Sequence, residues 1–285
     1  MDLLQPTTRP FDVCVAAPGP GPGSWAGASS AVALEDGGFV VAYRVRTAQS
    51  RGGRVVLARS PDGVAMTPFA ELTKEQLDAE SLERPALVRT DDGAWRLYLS
   101  CATRGTKHWR IELVEAATPE ALSVAEPVTV LSGDQSTGVK DPVVRRSAGS
   151  WEAWVCCHPL EVPGAEDRMV SRLAISDDGV RWSWTATTLQ GRPGVWDARG
   201  ARVTAVVDDR VYYDGRANPE ENFRERTGVA LRRTDRVVAL GEQPVADLRY
   251  LDVVALPGGG YRLWYEAPLA DGSHELRTEV ISTTA

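Results

Sequence analysis

Short apolar runs that alternate with polar positions and end at glycine-rich turns recur along the whole chain. Runs of this kind, rich in Val, Tyr and Trp and separated by Asp-Gly or Gly-Gly, predict β-hairpins. The second strands of five such hairpins are expected at residues 39–44, 95–100, 151–156, 211–213 and 261–266. Helical patterning is scarce, and the best candidate, residues 68–82, predicts a short helical insert.

A third strand follows each hairpin, at residues 54–60, 110–116, 170–176, 228–234 and 276–282. Two of these strands lead into the same Ser-x-Asp-Gly turn, beginning at Ser60 and Ser176. A multi-strand repeat of this length is typical of propeller blades, whereas a β-solenoid needs shorter periods. We therefore predict an all-β chain in which residues 1–285 form a single five-bladed β-propeller domain.

The two ends of the sequence predict how such a ring closes. Few residues follow the last repeat, so the fifth blade lacks an outer strand. Residues 11–16 form a spare strand before the first repeat, and we expect this strand to complete the fifth blade. The Pro-Gly stretch at residues 18–23 is then a connector within one domain.

Composition and charge narrow the function classes. Hydrophobic residues make up 43% and charged residues 25% of the 285-residue chain, which allows a sizeable core. The formal net charge of -7 argues against nucleic acid or an anionic membrane as the main partner. No secretory leader or bilayer-spanning apolar run is visible, so we expect a cytoplasmic protein.

Cysteine and histidine usage does not favour a metal site. The four cysteines lack zinc-type spacing, and the chain has three histidines. We expect reduced thiols, no metal and no cofactor.

Polar residues cluster where the first strand of each hairpin begins. In an antiparallel hairpin this position faces the end of the second strand. The expected rim pairs Ser29 and Ser30 with Arg44, Glu83 and Arg84 with Ser100, Lys140 and Asp141 with His158, Asp197 and Arg199 with Asp214 and Arg216, and Arg249 and Asp252 with Glu266. Any one of them could serve only strand ends or ion pairs, but as a set they favour a polar ligand.

Two tryptophans precede inner strands, Trp25 and Trp196. Indole faces suit the C–H surfaces of sugar rings, so both are candidate sugar contacts. Both could equally fill gaps between blades, and the sequence leaves the two explanations open.

One string resembles a known superfamily. Residues 139–144, Val-Lys-Asp-Pro-Val-Val, are similar to the Asp-Pro strand start of five-bladed propeller glycoside hydrolases: the arabinanase/xylosidase, invertase/levansucrase and β-mannoside phosphorylase groups. The Ser-x-Asp-Gly turns resemble turns of the same superfamily. This resemblance implies that Asp141 either tunes the pKa of the catalytic acid and stabilises the transition state, or donates the proton itself.

The sequence departs from that superfamily in the first blade. Its members place an acidic base or nucleophile there, whereas residues 24–30 contain no carboxylate. Glycoside hydrolysis usually needs two carboxylates. The second would then come from Glu83, Asp197, Asp252 or Glu266.

The first hypothesis is an exo-acting glycoside hydrolase for a small sugar. Its predicted catalytic residues are Asp141, Asp197 and Glu83, with Asp197 as acid or base and Glu83 as its partner. Its predicted sugar-binding residues are Trp25, Arg44, Arg84, His158, Trp196, Arg199, Asp214, Arg216, Asp252 and Glu266.

Two alternatives remain. In a phosphorolytic enzyme, phosphate bound by Arg44, Arg84, Arg199 and Arg216 would replace the missing base. A non-catalytic propeller would bind a sugar or anion without turnover. The predicted carboxylates outnumber these arginines, so we expect internal ion pairing and a neutral sugar as ligand.

Overall fold

The computed structural model describes residues 10–147, 149–234 and 236–282, which form twenty β-strands. We group them into five units of four. Unit 1 is β2 (Trp25–Ala33), β3 (Phe39–Arg46), β4 (Arg54–Ser60) and β5 (Thr67–Thr73). Unit 2 is β6 (Ala79–Arg89), β7 (Trp95–Thr103), β8 (Trp109–Ala116) and β9 (Val128–Leu131). Unit 3 is β10 (Thr137–Ser147), β11 (Ser150–Pro159), β12 (Val170–Ser176) and β13 (Ser183–Gln190).

Unit 4 is β14 (Ala201–Val207), β15 (Arg210–Gly215), β16 (Arg226–Arg232) and β17 (Val237–Leu240). Unit 5 is β18 (Arg249–Ala255), β19 (Tyr261–Pro268), β20 (His274–Ile281) and, from the start of the chain, β1 (Asp12–Val15). Two short 3-10 helices, Glu120–Val124 and Pro219–Glu221, lie in connections. No helix in the described ranges has the length and apolar character to cross a membrane.

Strand pairing follows the repeat. Units 2, 3 and 4 are four-stranded antiparallel sheets, while units 1 and 5 share one larger sheet through a bridge between Trp25 and His274. β1 pairs antiparallel with β20, with Asp12 facing Thr278. This pairing confirms the prediction that residues 11–16 pair with the last strand. Without β1, β20 would present an unpaired edge.

The helical insert predicted at residues 68–82 is wrong. β5 covers the first part of that range as the outer strand of unit 1, and β6 begins at Ala79. Leu72 and Leu77 are buried against unit 2, so the apolar residues that suggested a helix pack a strand and a turn instead.

The apolar core lies between consecutive units. Four clusters join unit 1 to unit 2, unit 2 to unit 3, unit 3 to unit 4, and unit 4 to unit 5. A fifth cluster packs Phe39, Val41 and Tyr43 of unit 1 against Trp264 and Leu276 of unit 5. Each sheet is therefore buried on both faces, which requires apolar residues on both faces of the inner strands.

The inner strands β2, β6, β10, β14 and β18 carry irregular register near their starts. Three equivalent positions have left-handed backbones: Ala28 (φ 51°), Asp141 (φ 51°) and Tyr250 (φ 53°). A bulge adds a residue to one strand and redirects its side chain. At these positions the side chains therefore do not follow the regular in-and-out alternation of the strand.

The same bulges shift the predicted rim pairs. Arg44 faces Gly27 instead of Ser29 or Ser30, and His158 faces Gly138 instead of Lys140. Arg249 does face Glu266, as predicted. The simple hairpin rule fails where an extra residue intervenes between the strand start and the regular ladder.

Candidate active site

A cavity of about 380 Å³ opens near the starts of the inner strands. Every unit contributes a charged side chain to its wall: Arg44, Glu83, Lys140, Arg202 and Arg249. Small-molecule sites commonly have volumes of about 300–1,000 Å³. The cavity is thus large enough for one small ligand.

Alternating arginines and carboxylates build one side of the wall. Arg44 is hydrogen-bonded to Glu83, and its Nη2 lies 2.6 Å from Oε2 of Glu266. Oε1 of Glu266 accepts from Nε of Arg249 at 2.7 Å and lies 2.6 Å from Nδ1 of His274. Burial alone would raise the pKa of Glu83, but the Arg44 charge holds that pKa below its usual range. Glu83 is therefore ionised.

The ion pairs continue into units 3 and 4. Glu225 accepts from Arg249 at 2.8 Å and from Arg216 at 3.0 Å. Asp167 accepts from Arg216 at 3.0 Å and from Arg199 at 2.9 and 2.6 Å. Burial acts to raise the pKa of Glu225, yet Arg249 and other nearby arginines lower it to about 2. This wall keeps its charges at neutral pH because each is matched.

Tyr250 and Arg202 form the floor. The Arg202 guanidinium lies 3.8 Å from the Tyr250 ring centroid, and its Nη1 donates to the phenol oxygen at 2.8 Å. Arg202 also contacts Asp214 at 2.7 Å and Asp141 at 3.3 Å. Nζ of Lys140 is 3.7 Å from Asp141. Burial opposes ionisation of Asp141, but Lys140 and Arg202 hold its pKa below the usual range.

His158 is neutral. Its Nδ1 donates to the backbone oxygen of Glu166 at 2.5 Å, and its Nε2 lies 3.6 Å from Sγ of Cys156. Burial and the nearby Lys140 charge lower the pKa of His158 to about 3. The imidazole therefore cannot act as a proton donor near neutral pH, and it fixes the Glu166 backbone at the wall.

The aromatic residues at the mouth differ in their openness. Trp25 is 2% exposed, and its ring packs on His274, with Arg46 and Arg249 at 4.3 and 4.7 Å from its centroid. Phe223 is 41% exposed and has a left-handed backbone (φ 70°). The Phe223 and Trp25 centroids are 4.7 Å apart. Trp25 thus has no open face for a sugar, whereas Phe223 does.

Solved structures share this architecture. A structure from the GH130 family of mannoside phosphorylases, which contains hydrolases of β-1,2 mannosidic linkages in Candida mannan, matches at 13% identity with TM-score 0.63, covering 98% of each chain. α-L-arabinofuranosidase from Lactobacillus brevis matches at 14% identity with TM-score 0.66, covering 90% of each chain. Bombyx mori GH32 β-fructofuranosidase matches at 12% identity with TM-score 0.66, covering 95% of this chain and 61% of its own.

The chain has the fold of these glycoside hydrolases. Its resemblance to the five-bladed propeller superfamily is confirmed at that level, while identities this low carry the fold alone. No protein-family model and no curated protein matches the sequence.

The cavity unites part of the predicted site. Its wall includes Glu83, Trp25, Arg44, His158, Arg199 and Arg216. Asp141, Asp214 and Glu266 do not line it but contact lining residues from behind. Arg44 pairs with Glu83 and Glu266, two of the predicted carboxylates. Arg199 and Arg216 pair instead with Asp167 and Glu225, which the sequence analysis did not name.

Asp197 and Trp196 lie away from the cavity wall. The Asp197 carboxylate is bound by Nε of Arg192 at 3.0 Å and by the Tyr213 hydroxyl at 2.7 Å. The Trp196 ring stacks on Tyr213, with centroids 5.7 Å apart. Of the two explanations for Trp196, the structure supports packing between blades over sugar contact.

Arg84 and Asp252 line a different cavity of about 460 Å³, toward the other ends of the inner strands. Their closest charged atoms are 4.0 Å apart. The bulges in β6 and β18 separate these residues from the predicted rim, because each inserts a residue between the rim position and the regular ladder.

Sequence reasoning missed several wall residues: Arg46, Asp167, Arg202, Glu225 and Tyr250. Tyr250 occupies the repeat position of Asp141, so aligning the repeats could have found it. Asp167 and Glu225 lie in connections of irregular length, where the repeat gives no signal.

Proposed function

We propose that this chain is a glycoside hydrolase that removes a single sugar unit held in the 380 Å³ cavity. The observation that carries the proposal is the pair of carboxylates in its wall: Glu83, fixed by Arg44, and Glu166, whose carboxylate has no partner among the described residues. Hydrolysis needs one ionised and one protonated carboxyl group. A cavity, as opposed to an open groove, suits exo action on a small glycoside.

We further infer that the five units form one closed, five-bladed propeller domain. The support is the cyclic order of the apolar clusters, in which unit 5 packs on unit 1. The bridge between Trp25 and His274 and the pairing of β1 with β20 join the same two units. A closed ring leaves only short strand edges exposed, and it directs all five inner strands to one site.

Glu83 is assigned the role of base or nucleophile. It is 4% exposed, lies at a bulge of β6, and is kept ionised by Arg44 and Lys140. An ionised carboxylate held by a guanidinium is positioned to stabilise positive charge at the sugar carbon or to activate water.

Glu166 is assigned the role of general acid. Its backbone is fixed by His158, while its side chain is free of ion pairs in the described part of the chain. With no ion pair to hold it, this carboxyl group is available to donate a proton to the leaving-group oxygen of a bound sugar. Asp141 acts through other residues: from behind the cavity lining it orients Lys140, Arg202 and the Tyr250 hydroxyl.

Aryl-glycoside cleavage in phosphate-free buffer tests the assignment. Glu83→Gln and Glu166→Gln should each lower the rate by ~10²-fold or more, since each removes one acid–base group. Glu161→Gln, an exposed change in the same loop as Glu166, is the matched control and should leave the rate unchanged. Equal rates in all four proteins would refute the roles of both carboxylates.

Phosphorolysis is the second candidate, favoured by the first unit. Ala28 occupies the position that Asp141 holds in β10, so β2 supplies no carboxylate base. Phosphate would then be the nucleophile. Turnover that requires added phosphate would favour this reaction over hydrolysis.

A further inference from the structure

The ion pairs around the cavity involve equal numbers of cationic and anionic side chains. Along the wall, Arg44, Arg199, Arg216 and Arg249 pair with Glu83, Asp167, Glu225 and Glu266. Lys140 of the wall and Arg202 of the floor pair with Asp141 and Asp214, which lie behind them. These two sets are formally neutral.

Three further cations of the wall have no carboxylate partner within the described ranges: Arg46, Arg51 and Lys107. Opposing them, among the described residues of the wall, is one unpaired carboxylate, Glu166. The wall therefore carries excess positive charge, although the whole protein has a formal charge of -7. A cavity opposite in sign to the protein focuses anions.

The excess lies at the mouth. Arg51 and Lys107 are exposed and Arg46 is half-buried, whereas the floor residues Arg202 and Tyr250 are buried. An anionic group attracted to these cations would therefore lie at the outer end of a bound ligand, away from the floor.

Arg46 is held in place and incompletely bonded. Its guanidinium lies 4.3 Å from the Trp25 centroid and 5.7 Å from that of Phe223. Its Nε is buried and has no hydrogen-bond partner in the part of the chain that the structure describes. Burial lowers the pKa of Arg46, Glu83 opposes this, and the like charge of Arg44 adds to it. An oxyanion beside Arg46 would satisfy Nε and reduce this repulsion.

From these contacts we propose that the ligand is an acidic sugar whose carboxylate binds Arg46 and Arg51 at the mouth. The inference rests on the proposed function only in taking the ligand to be a sugar. Free phosphate shares the oxyanion chemistry, but a phosphate nucleophile must reach the floor, where the cations are already paired. Arginine binds a carboxylate through two charge-assisted hydrogen bonds, which also orients the sugar.

Calorimetric titration of the wild-type protein tests this without turnover. Glucuronate, galacturonate and mannuronate are each compared with the neutral parent hexose, and inorganic phosphate is titrated alone and with each hexose. At least one uronate should bind about tenfold or more tightly than its parent, and the advantage should shrink as salt is raised.

Variants locate the effect. Arg46→Gln should remove most of the uronate advantage, and so should the double variant Arg51→Gln, Lys107→Gln, whose exposed sites tolerate substitution. Arg181→Gln makes the same charge change at a guanidinium that is 89% exposed and outside the cavity, so it should keep the advantage.

Several results would overturn the acidic ligand. They are uronates that bind no more tightly than their parents, no binding by any sugar, or an advantage that survives both cavity variants. Phosphate that strengthens hexose binding would assign the cations to phosphorolysis instead. Cleavage of neutral and acidic glycosides at equal rates would leave the hydrolase proposal standing and this one refuted.

Discussion

Nη2 of Arg44 lies 2.6 Å from Oε2 of Glu266, joining the second strands of the first and last units. Both side chains are buried, and Glu266 also accepts from Arg249. The pair connects residues 222 positions apart in sequence. The wall of the cavity and the junction between the two ends of the fold therefore share one ion-pair network.

Glu266→Gln should destabilise the protein by roughly 3–5 kcal/mol, because removing one partner leaves buried guanidiniums uncompensated. Urea unfolding measures the loss. Glu120→Gln, which breaks a half-exposed pair with Arg59, should cost no more than about 1 kcal/mol. Equal losses in the two variants would mean that the network at Glu266 contributes no more than a surface pair.

Gly27→Ala should destabilise the junction and weaken ligand binding. A Cβ at Gly27 would lie 2.5 Å from Cγ of Glu266, whose carboxylate is fixed by Arg44 and Arg249 and cannot retreat. Overpacking of this kind costs about 1–3 kcal/mol. At Gly258 an added Cβ would meet no described atom within 4 Å, so Gly258→Ala should unfold at the same urea midpoint as the wild type. A Gly27→Ala protein as stable as the Gly258→Ala protein would contradict the close approach.

Two substitutions of Phe223 separate its ring from its backbone. Phe223→Ala removes the exposed ring but keeps a side chain at φ 70°, while Phe223→Gly also relieves the left-handed strain. Both should weaken sugar binding by about 1 kcal/mol, the scale of one aromatic contact. The glycine variant should be the more stable of the two by roughly 1 kcal/mol. Titration and thermal unfolding test the two effects independently, and unchanged affinity would exclude Phe223 as a sugar contact.

Asp252 should make stability depend on pH. Burial raises its pKa to about 6 despite the nearby Arg84 charge, while Oδ2 accepts from the Ala31 amide at 2.8 Å. The folded state then binds more protons than the unfolded state between about pH 4 and 6, so the contribution of Asp252 falls as pH rises through that window. The stability of Asp252→Asn relative to wild type should rise by roughly 2–3 kcal/mol from pH 4 to pH 7.

Urea titrations of both proteins at several pH values measure that difference. Asp62→Asn is a control in an exposed turn, where hydrogen bonds from Ala65 and Val64 lower the carboxyl pKa. Its relative stability should change in the opposite direction, falling as pH rises, because a lowered pKa stabilises the ionised form. A flat difference for Asp252→Asn would show that Arg84 and water compensate the buried charge.

The sequence alone predicted the repeat and much of the cavity wall. Alternating apolar runs and glycine turns recur at similar spacing, so strand existence and unit order follow from local chemistry. The unpaired last strand and the spare first strand together predicted the pairing of β1 with β20. Glu83 and Arg44 could be assigned because polar residues at the start of a first strand and at the end of a second strand interrupt the apolar pattern.

Tertiary structure decided which polar residues share the cavity. The bulges in β6, β10 and β18 rotate side chains by one position, separating Arg84 and Asp252 from the wall and placing Tyr250 on the floor. Asp167 and Glu225 join through connections whose path no periodicity encodes. Charge pairing depends on distances of a few ångströms between units far apart in sequence, and packing of whole sheets sets those distances.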